Sequence, residues 1–201
     1  MKLIAHRRNT IDDLLATKLE YGVEVDVRSE GSRLVIHHDP FVSGEFFDEW
    51  INAYRHGTLI LNVKEEGLEE RLIALMKSKG IDDYFFLDQS FPFLVKWSKN
   101  GERRCAVRIS EFESIETAMS LAGQVDWVWV DCFTNFFLCE SDARRLKEAG
   151  FKLCLVSPEL QGRDAEIEIP LLASLLKEQN IPADAVCTKR PDVWEKMALS
   201  Q

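Results

Sequence analysis

The chain has 201 residues, 46% of them hydrophobic, which is enough for a continuous core and leaves no stretch with the composition of disorder. A formal net charge of −9, without any run of Lys or Arg, argues against a nucleic acid or other bulk polyanion as partner. The opening apolar run is too short for a secretory signal and no later one is long enough to span a bilayer, so a cytoplasmic chain without stable membrane insertion is expected.

In chain order, strand-like runs at residues 2–6, 22–28, 58–64, 84–88, 104–109, 127–131, 152–156 and 185–188 alternate with helical stretches at 10–20, 46–54, 68–79, 91–98, 114–122, 141–149 and 170–179. Eight strands with helical crossovers predict an α/β fold that closes as a single (β/α)8 TIM barrel. Ser141 is read as the N-cap of its helix, and Gly150 and Gly80 as left-handed stops after two helices. Residues 34–38 follow the turn-like Glu30-Gly31-Ser32 and read as the return arm of a short hairpin extension after the second strand. An open doubly wound sheet is disfavoured, because Ala5-His6-Arg7-Arg8-Asn9-Thr10 carries no glycine-rich phosphate loop. Pro and Gly are scattered singly, no repeat or linker divides the chain, and residues 1–201 read as one domain. The five cysteines contain no Cys-x-x-Cys pair and read as buried thiols in a reducing compartment. Exposed apolar residues on short helices would be compatible with a homo-oligomer.

The most informative stretch is Gly22-Val23-Glu24-Val25-Asp26-Val27. Alternation along a strand sends Glu24 and Asp26 to one face and the valines to the other. Two carboxylates side by side repel unless a cation, a shared proton or water relieves them. In a barrel they would join the other residues at the carboxyl ends of strands, namely His6, Arg7, Asn62, Lys64, Asp88, Ser90, Arg108, Ser110, Glu111, Asp131, Ser157, Glu159, Thr188 and Lys189. A hard divalent cation on Glu24 and Asp26 would polarise a phosphoryl oxygen, with Arg7 and Lys64 on the remaining phosphate oxygens. His6 and a hairpin histidine, His37 or His38, would serve as general base and acid. For Lys64 the plain alternative is a salt bridge to Glu24 or Asp26. Phe133, Phe136 and Phe137 follow Asp131 and would pack a loop, line a substrate pocket or touch a lipid surface, with loop packing preferred.

Ala5-His6-Arg7, Gly22 to Asp26 as Gly-x-Glu-x-Asp, and His38-Asp39-Pro40 after a Gly-containing turn resemble the glycerophosphodiester phosphodiesterases. That family belongs with phosphatidylinositol-specific phospholipase C among the barrel phosphodiesterases. The closing Thr188-Lys189-Arg190-Pro191 is similar to the family's Thr-Asp-x-Pro. The resemblance implies a TIM-barrel hydrolase of lipid metabolism that uses Mg2+ or Ca2+, acts on a small phosphodiester, and employs His6 and a hairpin histidine as acid and base. Matching the His-Asp pair selects His38, whereas ungapped counting from Gly31 selects His37; His38 is favoured. Glu24, Asp26 and Asn62 would be the metal ligands, and Arg7, Lys64, Asp131 and Lys189 the phosphate or substrate contacts.

The sequence departs from the family in three places. His-Arg-Gly is His6-Arg7-Arg8, the Pro-Glu-Asn-Thr loop is reduced to Asn9-Thr10, and the third strand has Asn62-Val63-Lys64 where the family has Glu-x-Lys. Asn offers a carbonyl oxygen without charge, so a cation should bind more weakly. Two further readings follow: a weakened barrel that binds a phosphorylated ligand without turning it over, and a lyase that forms a cyclic phosphate.

Overall fold

A computed structural model describes residues 1–199 of the chain. The first part runs β1 (Lys2–Ala5), α1 (Ile11–Leu15), β2 (Gly22–Glu30), β3 (Arg33–Ile36), β4 (Glu45–Phe46), α2 (Phe47–Ala53) and β5 (Leu59–Val63). It continues through α3 (Glu69–Lys79), β6 (Tyr84–Leu87), α4 (Phe91–Lys99), β7 (Ala106–Ile109), α5 (Ile115–Met119) and β8 (Trp127–Val130). The last part holds α6 (Glu140–Glu148), β9 (Lys152–Val156), a 3-10 turn (Pro158–Gln161), α7 (Ala165–Glu178), β10 (Ala185–Thr188) and α8 (Pro191–Leu199).

The chain divides into two compact units, one of His6–Cys105 and the other of Met1–Ala5 with the residues from Ala106 onward. Neither boundary carries a Pro/Gly-rich segment, so composition gives no sign of them. In the His6–Cys105 unit β2, β5 and β6 pair in parallel, β3 runs antiparallel to β2, and β4 antiparallel to β3. The register sets Glu24 against Ile60 and Asp26 against Asn62. In the other unit β1, β10, β9, β8 and β7 pair in parallel in that order. Parallel strands covered on both faces are expected to be apolar throughout, and Leu59, Ile60 and Leu61 of β5 are all fully buried. Among the described residues no helix is long and apolar enough to cross a membrane.

The predicted strands lie where the apolar runs place them, with ends shifted by one or two residues. Helix starts differ more. Asp164 caps α7 by accepting from the N–H groups of Glu166 and Ile167, so that helix begins at Ala165 and not at Pro170, which lies inside it. Proline is favoured at the first helical position, but here it is the sixth residue of the helix. The α6 helix starts at Glu140, one residue before Ser141, whose hydroxyl meets Cys139 Sγ at 3.0 Å. The α8 helix, absent from the reading, opens on Pro191, where the fixed φ of proline suits a first helical position. Gly80 does end α3 at φ 66°. Gly44 lies so close to β3 that a Cβ there would sit 2.0 Å from the Ile36 carbonyl oxygen, so no larger residue fits. Four cysteines are buried as expected, but Cys139 is exposed at the start of α6.

Candidate active site

The carboxylates of Glu24 and Asp26 are fully buried, although the strand that carries them is otherwise valine. An ionised group in such a place costs several kcal/mol unless it is paired, so its partners define the site. Arg7 sits just after β1 in the left-handed region at φ 51°, a conformation that costs a non-glycine residue about 1–2 kcal/mol. That geometry aims its N–H at Glu24 Oε2 (2.7 Å), while the next N–H, of Arg8, donates to the Glu24 carbonyl (2.8 Å). Asn62, from the neighbouring β5, donates Nδ2 to Glu24 Oε1 at 2.9 Å. His6 brings Nε2 to 3.8 Å from Glu24 Oε2, with its side chain 14% exposed.

Asp26 is held by another group of donors. Asn9 grips it twice, with Nδ2 donating to Asp26 Oδ2 (2.8 Å) and Oδ1 accepting the Asp26 N–H (3.0 Å). Arg7 Nε stands 3.5 Å from Oδ2, and Lys64 Nζ 3.3 Å from Oδ1. Lys64 also reaches Asp88 Oδ2 at 3.1 Å, and Asp88 follows β6 with a left-handed φ of 61°. Lys64 therefore makes the salt bridge that the plain reading assigned to it, while remaining beside the carboxylate pair. Asn9 was not singled out in the sequence; its place in the shortened Asn9-Thr10 loop, directly before the Thr10 cap of α1, was the available signal.

Burial, reinforced by the charge of Asp26, pushes the Glu24 carboxyl up from 4.5 to about 7, against the opposing pull of Asn62, the Arg7 N–H and Lys64. A carboxyl whose folded pKa is raised binds its proton more tightly in the folded state. Its stabilising contribution is complete below pH about 4.5 and is lost as pH rises through about 7. Urea unfolding in EDTA buffer should show the stability of wild type relative to Glu24→Gln falling across that window. A difference that stays flat with pH would contradict the assignment.

The donor set for a cation is oxygen only. Glu24 and Asp26 supply carboxylates, and Asn62 Oδ1 is buried with no hydrogen-bond partner among the described residues. That chemistry suits a hard divalent ion, which commonly takes one or two carboxylates and completes its shell with water or phosphate oxygens. Among the described residues no three His, Cys, Asp or Glu side chains converge as a metal cage, so such an ion would need the Asn62 carbonyl and exogenous oxygens.

The hairpin histidines stand apart from this network. His37 Nδ1 accepts from the Asp39 N–H at 3.0 Å, and His38 Nδ1 pairs with Asp39 Oδ1 at 2.8 Å. Among the described residues neither imidazole bonds to Glu24, Asp26 or Lys64. The Asp39 carboxyl is held below its ordinary value mainly by the His38 hydrogen bond, with Arg7 contributing at longer range.

The remaining predicted residues belong to the other unit. Asp131 accepts from Gln161 Nε2 (2.6 Å) and faces Arg108 Nη1 at 3.4 Å. Lys189 is exposed, and its N–H, like the Thr188 hydroxyl, donates to Glu159 Oε1 (2.8 and 2.6 Å). Ser157 donates to Glu159 Oε2 and accepts from Trp194 Nε1. Glu111, placed by the sequence at the end of the same strand as Arg108, accepts the N–H groups of Phe133, Thr134 and Asn135. Against the cost of burial, those bonds hold its carboxyl down to about 2 and fix the loop that carries Phe133, whose ring lies 6.0 Å from Phe112.

No protein-family model matches the chain, and no curated protein matches it in sequence. Solved structures do match in fold. A glycerophosphodiester phosphodiesterase from Agrobacterium tumefaciens str. C58 aligns with a TM-score of 0.68 at 15% identity over 99% of each chain. A glycerophosphoryl diester phosphodiesterase from Parabacteroides distasonis ATCC 8503 gives 0.68 at 13% identity, over 99% of this chain and 86% of that one. A candidate glycerophosphodiester phosphodiesterase from Galdieria sulphuraria gives 0.73 at 14% identity, over 98% and 97%. The likeness is one of fold, and it spans nearly the whole length of this chain.

Proposed function

We propose that the chain is a phosphoric diester hydrolase of the glycerophosphodiester phosphodiesterase type, built as a (β/α)8 barrel. One observation carries this reading: His6, Arg7 and Lys64 converge on the fully buried Glu24–Asp26 pair. The motif order in the sequence and the fold shared with three structures of that type support it.

In this reading Arg7 and Lys64 bind and orient the phosphate, Arg7 through a guanidinium that can grip two oxygens and Lys64 as a point charge. Their pairing with Asp26 and Asp88 holds both cations in place before substrate arrives. His6 moves the proton at Nε2, taking it from the attacking water or giving it to the leaving alkoxide. A hairpin imidazole, His38 in preference to His37, performs the opposite transfer, with Asp39 fixing the His38 ring. Glu24, Asp26 and the Asn62 carbonyl would hold Mg2+ or Ca2+, which when bound polarises a phosphoryl oxygen and offsets developing charge.

The test is hydrolysis of bis(p-nitrophenyl) phosphate and of simple glycerophosphodiesters by purified protein, in EDTA and with added Mg2+, Ca2+ or Mn2+. Metal-stimulated turnover is expected, with a linear phosphomonoester as product. Inertness with every metal would overturn the hydrolase reading, and a cyclic phosphate in the 31P NMR spectrum would replace it with the lyase. The binding-only alternative has its own support. Protein donors already hydrogen-bond both oxygens of Glu24 and one of Asp26, whose other oxygen lies 3.3 Å from Lys64 Nζ, and Asn62 turns its NH2 group, not its carbonyl, toward Glu24.

A further inference from the structure

Strand alternation puts a third charged side chain, Arg28, on the face of β2 that carries Glu24 and Asp26. Its guanidinium is turned to backbone instead. Nε and Nη2 donate to the His38 carbonyl oxygen at 3.2 and 2.9 Å, and Nη1 donates more loosely to the Lys64 carbonyl oxygen at 3.4 Å. Glu65 Oε1 lies 3.5 Å from Nη1, while Glu65 Oε2 is fixed by the Ser29 N–H (3.1 Å) and hydroxyl (2.5 Å). All three nitrogens are thus engaged by the protein, and the side chain is only 16% exposed. The two carbonyls lie where the strand ladders give out. The β2–β3 ladder ends at Ile36, paired with Val27, and the His37 N–H still donates to the Asp26 carbonyl (3.0 Å); His38 is one residue further. On the opposite edge of β2, Lys64 follows the end of β5, and its N–H donates to the Val27 carbonyl (3.0 Å). Arg28 therefore spans β2 from one flanking segment to the other.

We infer that Arg28 is a positioning residue that fixes the backbone of His38 relative to Lys64; the inference rests on the hydrolase reading, in which those two residues serve one phosphate. An imidazole that moves a proton has to stand within about 2.6–3.2 Å of the atom it serves. The bond from His38 to Asp39 sets the ring only relative to its own loop. The bonds from Arg28 tie that loop to the strands that carry Lys64 and the carboxylate pair. A planar guanidinium fork suits the task, because two of its nitrogens grip one carbonyl while the third meets another; the single ammonium of lysine lacks that geometry. Arg28 also lines a cavity of about 480 Å3 with Glu65, Pro40 and Phe41, through which a free guanidinium ion can reach the same carbonyls once the side chain is removed.

Arg28→Ala should lower kcat for bis(p-nitrophenyl) phosphate by about 10²-fold, the loss expected when a reacting group is misplaced by about 1 Å, with much less change in KM. Millimolar guanidinium chloride, far below denaturing concentrations, should restore about tenfold of that loss in Arg28→Ala and nothing in Arg28→Lys. Arg33→Ala removes another arginine of the same hairpin, one paired with Asp48 and Glu49, and should leave kcat unchanged. The double variant Arg28→Ala/His38→Ala should be scarcely slower than His38→Ala alone, because the residue that Arg28 positions is gone. In a His37→Ala background the loss on Arg28→Ala should persist in full. A readout independent of turnover is amide hydrogen exchange of residues 37–43, which should quicken by at least about tenfold in Arg28→Ala while that of β5 stays as in wild type. Unchanged exchange in residues 37–43, exchange that quickens equally in β5, or losses that multiply in the double variant would overturn the inference. Exchange and turnover separate the two readings. An inert wild type whose 37–43 segment still loosens in Arg28→Ala sinks only the hydrolase, and an active wild type whose Arg28→Ala variant keeps its kcat sinks only the positioning role.

Discussion

Replacing His6 by alanine should lower kcat for phosphodiester hydrolysis by about 10²–10⁴-fold, the span typical of a lost general acid or base. Nε2 lies 3.8 Å from Glu24 Oε2, and the imidazole is mostly but not wholly buried. Asp26 keeps its hydrogen bonds to Asn9 and its ion pairs with Arg7 and Lys64 in that variant. KM should therefore change much less than kcat, and the urea midpoint should shift little. His38→Ala and His37→Ala in the same assay identify the second imidazole. The variant that loses activity to a similar degree is the partner of His6, and a His6→Ala enzyme as fast as wild type would remove the catalytic assignment altogether.

The second large effect is on stability. Asp26→Ala removes the one carboxylate that Asn9, Arg7 and Lys64 share, leaving the Asn9 amide and two cations short of a partner. Breaking a buried ion pair from one side costs about 3–5 kcal/mol. The lower end, about 3 kcal/mol, is expected here, because Lys64 retains Asp88 at 3.1 Å and Glu24 is relieved of a like charge. Urea unfolding measures it. The double variant Asp26→Ala/Lys64→Met should be more stable than the two single costs add up to, by about 1 kcal/mol or more, since the residues act on each other directly. Strict additivity would show that the Lys64–Asp26 contact contributes nothing.

The strands were legible because each is a short apolar run closed by a polar residue, and parallel strands buried on both faces need little else. Val23, Val25 and Val27 alternate with Glu24 and Asp26, so the pairing of two carboxylates on one face could be read from spacing alone. The register that sets Asn62 against Asp26 was not legible, since it depends on which strand β2 meets. Helix starts failed where a side chain, not an apolar period, decides them. Asp164 outranked Pro170 at α7 because its carboxylate satisfies two N–H groups at once. Gln89 and Glu69 could not be paired by sequence either. They lie on different elements and meet only through the packing of α3 beside the end of β6.

By itself the sequence determined an alternating α/β chain, the carboxylate pair of β2, and the presence of His6 and Arg7 at the end of β1, because period, composition and strand alternation are local properties. Tertiary structure decided the direction of the Asn62 amide, the sharing of Lys64 between Asp26 and Asp88, the grip of Asn9, and the pairing of His38 with Asp39. The physical reason is that a buried polar atom must find its partner across space, and the partner that wins is the one the backbone brings within about 3 Å, whatever its distance along the chain.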